Sequence, residues 1–105
     1  MQLIEFTAAA KAAIYQYKQT LKIPEDYSLR VGIRQKNAQD KGLLIGFDAK
    51  TDKDREVDVE GIKVIYNAGQ VFFFAGMIID YVEQNGRKGF KFVEKAKLQI
   101  HSAQE

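Results

Sequence analysis

Cysteine is absent from this chain. That excludes disulfides, thiolate nucleophiles and cysteine-ligated metal or cluster sites together. Histidine occurs once, at His101, so no pair of imidazoles is available to hold a metal in the usual way. Proline also occurs once, at Pro24, and low-complexity stretches are missing, which argues against linkers and disordered arms. No apolar run approaches the roughly 20 residues that span a bilayer. Met1-Gln2-Leu3 leads into helical patterning without a signal-like apolar stretch, so a cytoplasmic protein with no membrane contact is expected. Neither sign of charge dominates: 16 Lys and Arg stand against 14 Asp and Glu, a net +2, so no nucleic-acid partner is expected. There is no Gly-rich phosphate loop and no Ser–His–Asp pattern with a nucleophile elbow, and neither enzymatic activity nor a cofactor is expected.

What is present is strand-like alternation around 28–49, two apolar stretches joined by a polar loop. Leu29, Val31 and Ile33 share one face of the first stretch, opposite Arg30, Gly32 and Arg34. Leu43, Ile45 and Phe47 share one face of the second, opposite Leu44, Gly46 and Asp48. A period of two marks half-buried strands, and the loop 35–42 between them is where such a frame would display function. Upstream, 3–6 reads as a short strand and Thr7 as the N-cap of a helix whose inner face carries Ala10, Ile14, Tyr17 and Leu21. Pro24 predicts the helix end near Lys22, because the residue before a proline is disfavoured in helical geometry. Downstream, 50–55 is a charged surface turn, 56–59 and 62–66 are short strands with Val57 and Val59 inward, and 67–69 is a turn.

The most apolar stretch is 70–82. By composition Val71-Phe72-Phe73-Phe74 reads as a strand, and Gly76 divides it from a second strand over 77–82. Asn85-Gly86 predicts a hairpin turn into a strand over 89–93, with Phe90 and Phe92 on one face. The segment 94–105 has only Leu98 and Ile100 as large apolar anchors and reads as a loose tail with an edge strand at 97–101. One helix and six or seven short strands make an α+β, mostly β fold, in a single domain over 1–105.

Four pieces in this order are LRVGIR (Leu29–Arg34), GIKVIYNAG (Gly61–Gly69), AGMIIDYV (Ala75–Val82) and GFKF (Gly89–Phe92). Over nearly the whole length the chain resembles the A-type iron–sulfur cluster carriers, the HesB-like or IscA-like family. The resemblance implies a HesB-like fold, with short strands in a compact barrel-like or sandwich arrangement and an N-terminal amphipathic helix alongside. It also implies a short helix at the start of 70–82, which would turn two of the three phenylalanines inward and leave the third for contact with a second copy. The family pattern further carries one cysteine in a loop after the LRVGIR strand and two in the C-terminal tail, because soft anionic sulfur holds iron and bridging sulfide. Here Ala38 stands at the first of those positions, and His101 and Ala103 stand at the other two.

The expected function is that of a non-catalytic, cysteine-less relative, connected to iron–sulfur cluster assembly through a protein partner or a homodimer. A second reading is a metal or small-ligand site that uses His101 with the loop carboxylate Asp40. A third is a structural or regulatory domain unrelated to iron–sulfur biology. Arg30 and Arg34, with Lys36 and Lys41, read as a solvated outer strand face or as an anion-binding patch. Asp40, Asp48, Asp52, Asp54 and Asp58 could supply a carboxylate pair, although acids at turns are expected anyway. Tyr66 and Tyr81 are expected to pack across strands.

Overall fold

The structure, a computed structural model, describes residues 3–35 and 41–94. A short strand β1 (Ile4–Phe6) leads directly into helix α1 (Ala8–Thr20). Thr7 caps that helix as its sequence predicts. The Thr7 hydroxyl accepts from the Ala10 amide at 3.1 Å and donates to Asp80 at 2.7 Å, so one side chain closes the first turn and ties it to a distant strand. The helix ends close to Lys22, as expected, and a Schellman arrangement closes it. The Ile23 amide reaches back to the Lys18 carbonyl and the Lys22 amide to that of Gln19, with Lys22 itself at φ 53°. The inner face is correspondingly shorter than expected: Ala10, Ala13 and Ile14 are buried, whereas Leu21, just past the last turn, is 60% exposed.

Strands β2 (Ser28–Gln35) and β3 (Lys41–Asp48) pair antiparallel without interruption from Ser28↔Asp48 to Gln35↔Lys41. Strands β4 (Asp54–Val59) and β5 (Ile62–Asn67) form a hairpin through Glu60-Gly61. Both turn residues have positive φ, which fits the twist of a two-residue hairpin turn. A parallel contact of β5 with β2, at Leu29↔Val64 and Arg30↔Ile65, completes one sheet in the order β3-β2-β5-β4. The second hairpin, β6 (Met77–Gln84) and β7 (Arg87–Glu94), turns at Asn85-Gly86 as its sequence predicts, again with both φ values positive. With β1 parallel to β6 it makes a three-stranded sheet, β1-β6-β7.

Between the sheets, Ile4, Leu29, Val31, Val59, Val64, Phe74 and Ile79 join the inner face of α1 in one apolar cluster. This is the mostly β, two-sheet arrangement with an N-terminal helix that the chain's alternation and family resemblance imply. Among the described residues, no helix is long and apolar enough to cross a membrane.

The strand suggested by the composition of VFFF is overturned. A single 3-10 turn, Ala68–Gln70, runs into helix α2 (Val71–Phe74). Helical stepping separates the three rings, and only Phe74 is fully buried, at 0% exposure, against 42% for Phe73 and 93% for Phe72. One phenylalanine therefore turns fully inward, where the resemblance implied two. Phe74 meets Tyr66 edge-on at 5.8 Å between ring centroids and lies parallel to Phe92 at 6.5 Å, so α2 plugs the core between the two sheets.

Candidate functional site

The β2–β3 hairpin frames the segment at which the family pattern expects its first ligand. Ala38 and Asp40, with Lys36, lie outside the described residues, and so do His101, Ala103 and the tail strand expected at 97–101. Among the described residues, no three His, Cys, Asp or Glu side chains converge in a way that could hold a metal ion.

Strand β5 pairs with β2 only at Leu29 and Arg30, which leaves the β2 backbone toward the hairpin loop without a strand on that side. Gln70 takes over. Its side-chain oxygen accepts from the Ile33 amide at 3.2 Å and its side-chain nitrogen donates to the Ile33 carbonyl at 3.4 Å, so one primary amide stands in for a neighbouring strand. This contact requires Gly32: a Cβ there would lie 2.6 Å from the Gln70 oxygen. The sequence holds only a faint sign of it, a glycine within an otherwise well-formed strand pattern and a glutamine at the mouth of an apolar run.

At the opposite end of the same strand, Arg30 does not belong to an anion patch. Its guanidinium donates to both carboxylate oxygens of Asp54, at 2.8 and 2.6 Å, and to Asp48 at 2.8 Å. Asp54 is buried, and its carboxylate also accepts from the Thr51 amide at 2.8 Å and the Thr51 hydroxyl at 3.0 Å. The hydrogen bond from Arg30, then that from the Thr51 amide, holds the Asp54 carboxyl well below the usual carboxylate range. The same guanidinium lowers Asp48, and the two acids together raise Arg30. Two of the aspartates considered as a catalytic pair do come together, but around a cation that neutralises them. This is a clasp joining β2, the end of β3 and the start of β4, and not a proton-transfer site.

A third feature was not foreseen from sequence. The C-terminal half of α1, β3 and β7 enclose an apolar groove of about 430 Å³, lined by Ile14, Tyr17, Leu21, Ile45, Phe47, Tyr81 and Phe90 among others. Tyr81 packs across the hairpin on Phe90 at 4.7 Å, as expected of a cross-strand pair, and its hydroxyl meets that of Tyr17 at 2.8 Å. That hydrogen bond raises the Tyr81 phenol above its ordinary range. The amphipathic signal of α1 and the alternation of β3 each announce an apolar face, but neither says that the two faces stop short of one another.

A family model described as iron–sulphur cluster biosynthesis matches residues 2–98. Among curated relatives, the iron-binding protein IscA of Xenorhabdus nematophila is 28% identical over 65 residues, which cover 61% of this chain and 61% of the relative. The chain thus matches less than two thirds of that relative's length. Among solved structures, Escherichia coli SufA superposes with a TM-score of 0.64 at 24% identity, covering 87% of this chain and 79% of that one. An IscA crystallised with a 2Fe–2S cluster superposes with a TM-score of 0.66 at 18% identity, covering 88% and 82%. At these identities the two structures speak for a shared fold. A thiolate-held cluster does not fit this chain, because it has no cysteine to supply the sulfur.

Proposed function

We propose that this chain, which belongs to the iron–sulphur cluster biosynthesis family, serves cluster assembly through contacts with other proteins and carries no thiolate-bound cluster of its own. The observation that supports this most directly is the combination of a family match over residues 2–98 with a complete lack of cysteine. The fold is shared, and in this chain a glutamine clasp supports β2 toward the hairpin loop, while the ligating chemistry is gone. Core, turns and surface are what a protein contact needs, and thiolates are not. A second support is Phe72, which stays 93% exposed on α2. Burying such a ring is worth roughly 1.5–3 kcal/mol, and aromatic anchors of this kind are enriched at protein interfaces. In this reading the chain is non-catalytic, and the charged side chains of its clasp serve architecture.

The test has two arms. Anaerobic reconstitution of the purified chain with iron and sulfide should leave no stoichiometric metal and no visible sulfide-to-iron absorption. Titration calorimetry against a purified cysteine-bearing family member should show an interaction that Phe72→Ser weakens without altering the fold. Stoichiometric iron that is lost on His101→Ala would overturn the reading in favour of a nitrogen- and oxygen-ligated metal site at His101 and Asp40. Absence of any interaction with the cysteine-bearing protein would overturn it as well.

A further inference from the structure

We infer that the groove between β3 and β7 receives an extended partner segment in which apolar residues alternate and acidic residues follow. The proposal rests on the reading that this chain works through protein contacts, and it names a second surface and the chemistry of its occupant.

The floor and walls are carbon. Tyr17, Leu21, Ile45, Phe47, Tyr81 and Phe90 present rings and branched chains, and the two phenols share one hydrogen bond at 2.8 Å, which leaves a single O–H donor between them. A single small polar ligand would find few partners here. A row of apolar side chains would find a trough that is already formed, with Leu21 standing 60% exposed at its mouth. The flanks are backbone. Among the described residues β3 and β7 are end strands, each paired on one side only, and each brings a glycine to the groove, Gly46 and Gly89. A Cβ at either glycine would have no atom within 4 Å, so the sheet face beside each edge is open to an incoming main chain. Strand addition uses this combination: open edges supply main-chain hydrogen bonds, and the trough selects alternate side chains.

The sign of the charge comes from the adjoining concavity, which shares Gly89 and Phe90 with the groove and is lined by Arg87, Lys88 and Lys91. Glu83 lies opposite Lys88 and Asp80 opposite Lys91 in the β6–β7 register, but Asp80 is held by the Thr7 hydroxyl and the Tyr81 amide. Among the described residues the ion pairs are those of Lys11 and Arg30, and none uses Arg87, Lys88 or Lys91. Three cations, Arg87, Lys88 and Lys91, face two carboxylates, Asp80 and Glu83, and the surplus of one positive charge at this end of the groove favours an acidic continuation of the bound segment over a basic one.

The experiment uses the full 105-residue chain and two fluorescein-labelled synthetic peptides, one alternating Val or Ile with Ser and ending in three Asp, the other ending in three Lys. Fluorescence anisotropy should give saturable binding of the acidic peptide, at least tenfold weaker binding of the basic one, and a tenfold loss for Leu21→Asp. Lys88→Glu should abolish the preference between the peptides while keeping the fold, since Lys88 is exposed. Equal binding of both peptides, no binding of either, or Leu21→Asp binding like the wild type would each overturn the proposal. So would displacement of the wild-type groove by a second copy of the chain, seen as a dimer in sedimentation that Leu21→Asp dissociates. The two readings fail separately: if the peptides do not bind but the cysteine-bearing family member still does, the groove is wrong and the protein-contact role stands.

Discussion

Replacing Asp54 with alanine removes the acceptor for four hydrogen bonds, two from Arg30 and two from Thr51, at 2.6–3.0 Å. The Asp54 side chain is 2% exposed and that of Arg30 20%, so neither is rescued cheaply by water. Breaking a buried charged pair by deleting one partner costs about 3–5 kcal/mol. Arg30 keeps its bond to Asp48, which moves the expectation to the lower end, about 3 kcal/mol at neutral pH. For a chain of this size a urea slope of about 1–1.5 kcal/mol per molar places the drop in midpoint at about 2–3 M. The pH dependence is a second signature. A carboxylate depressed in the folded state contributes stability that is complete above its unfolded pKa of about 3.9 and drains as pH falls toward the folded value. The gap between wild type and Asp54→Ala should therefore narrow by about 1.4 kcal/mol for each pH unit below roughly 4. Circular dichroism in urea at pH 7, 4 and 3 reads both effects. A loss under 1 kcal/mol at pH 7, or a gap that stays constant between pH 4 and 3, would refute the clasp as the source of this stability.

Gly32→Ala should displace the Gln70 amide and cost about 1–2 kcal/mol, and in the Gln70→Ala background it should cost clearly less, because the atom it collides with is gone; urea titration of the four proteins closes the cycle. Phe74→Ala should lose about 3–5 kcal/mol by opening a cavity between the sheets, whereas Phe72→Ser, two residues away, should stay within about 0.5 kcal/mol of wild type; equal effects would contradict the orientation of α2. Thr7→Ala should cost about 1–2 kcal/mol, since the cap of α1 and the tie to Asp80 go together, and Thr7→Ser should recover most of it.

Much of the frame is readable from local pattern. The alternation of 29–33 with 43–47 and the Asn85-Gly86 turn work because each depends on a period of two or on residues that tolerate positive φ, and both are local properties. Strand ends were less legible: β3 and β7 each extend two residues ahead of their apolar run, carried there by cross-strand pairing and not by composition. VFFF misleads by composition because aromatic residues favour strands, and four residues are too few for a period to appear. The resemblance supplies the helix there, and only coordinates say which ring turns inward. Leu21 misleads differently. It keeps the helical spacing of Ala10, Ile14 and Tyr17, but the left-handed Lys22 ends the helix beneath it and the face has nothing to pack on. The Arg30 clasp was out of reach for a third reason: it joins residues 18 and 24 positions apart, and nothing in KTDKDR distinguishes a buried aspartate from its exposed neighbours.

The clasp of Gln70 on Ile33 bears on what has been lost and what has not. It supports β2 beyond the point where β5 leaves it, holding the buried Ile33 just before the segment that contains Ala38. If the frame still has the geometry that a cluster ligand requires, restoring sulfur should be sufficient. The triple variant Ala38→Cys, His101→Cys, Ala103→Cys is then expected to take up stoichiometric iron and sulfide on anaerobic reconstitution and to gain visible absorption. Ala38→Cys alone should not, because a single thiolate per chain leaves the iron under-coordinated. Single variants at 101 and 103 provide the same control from the other side. A triple variant that folds as the wild type does but stays colourless would show that divergence has reached the frame as well as the ligands. The Gln70 clasp would then serve the core and the protein surface at this end, where Phe72 is exposed, and not a cluster site.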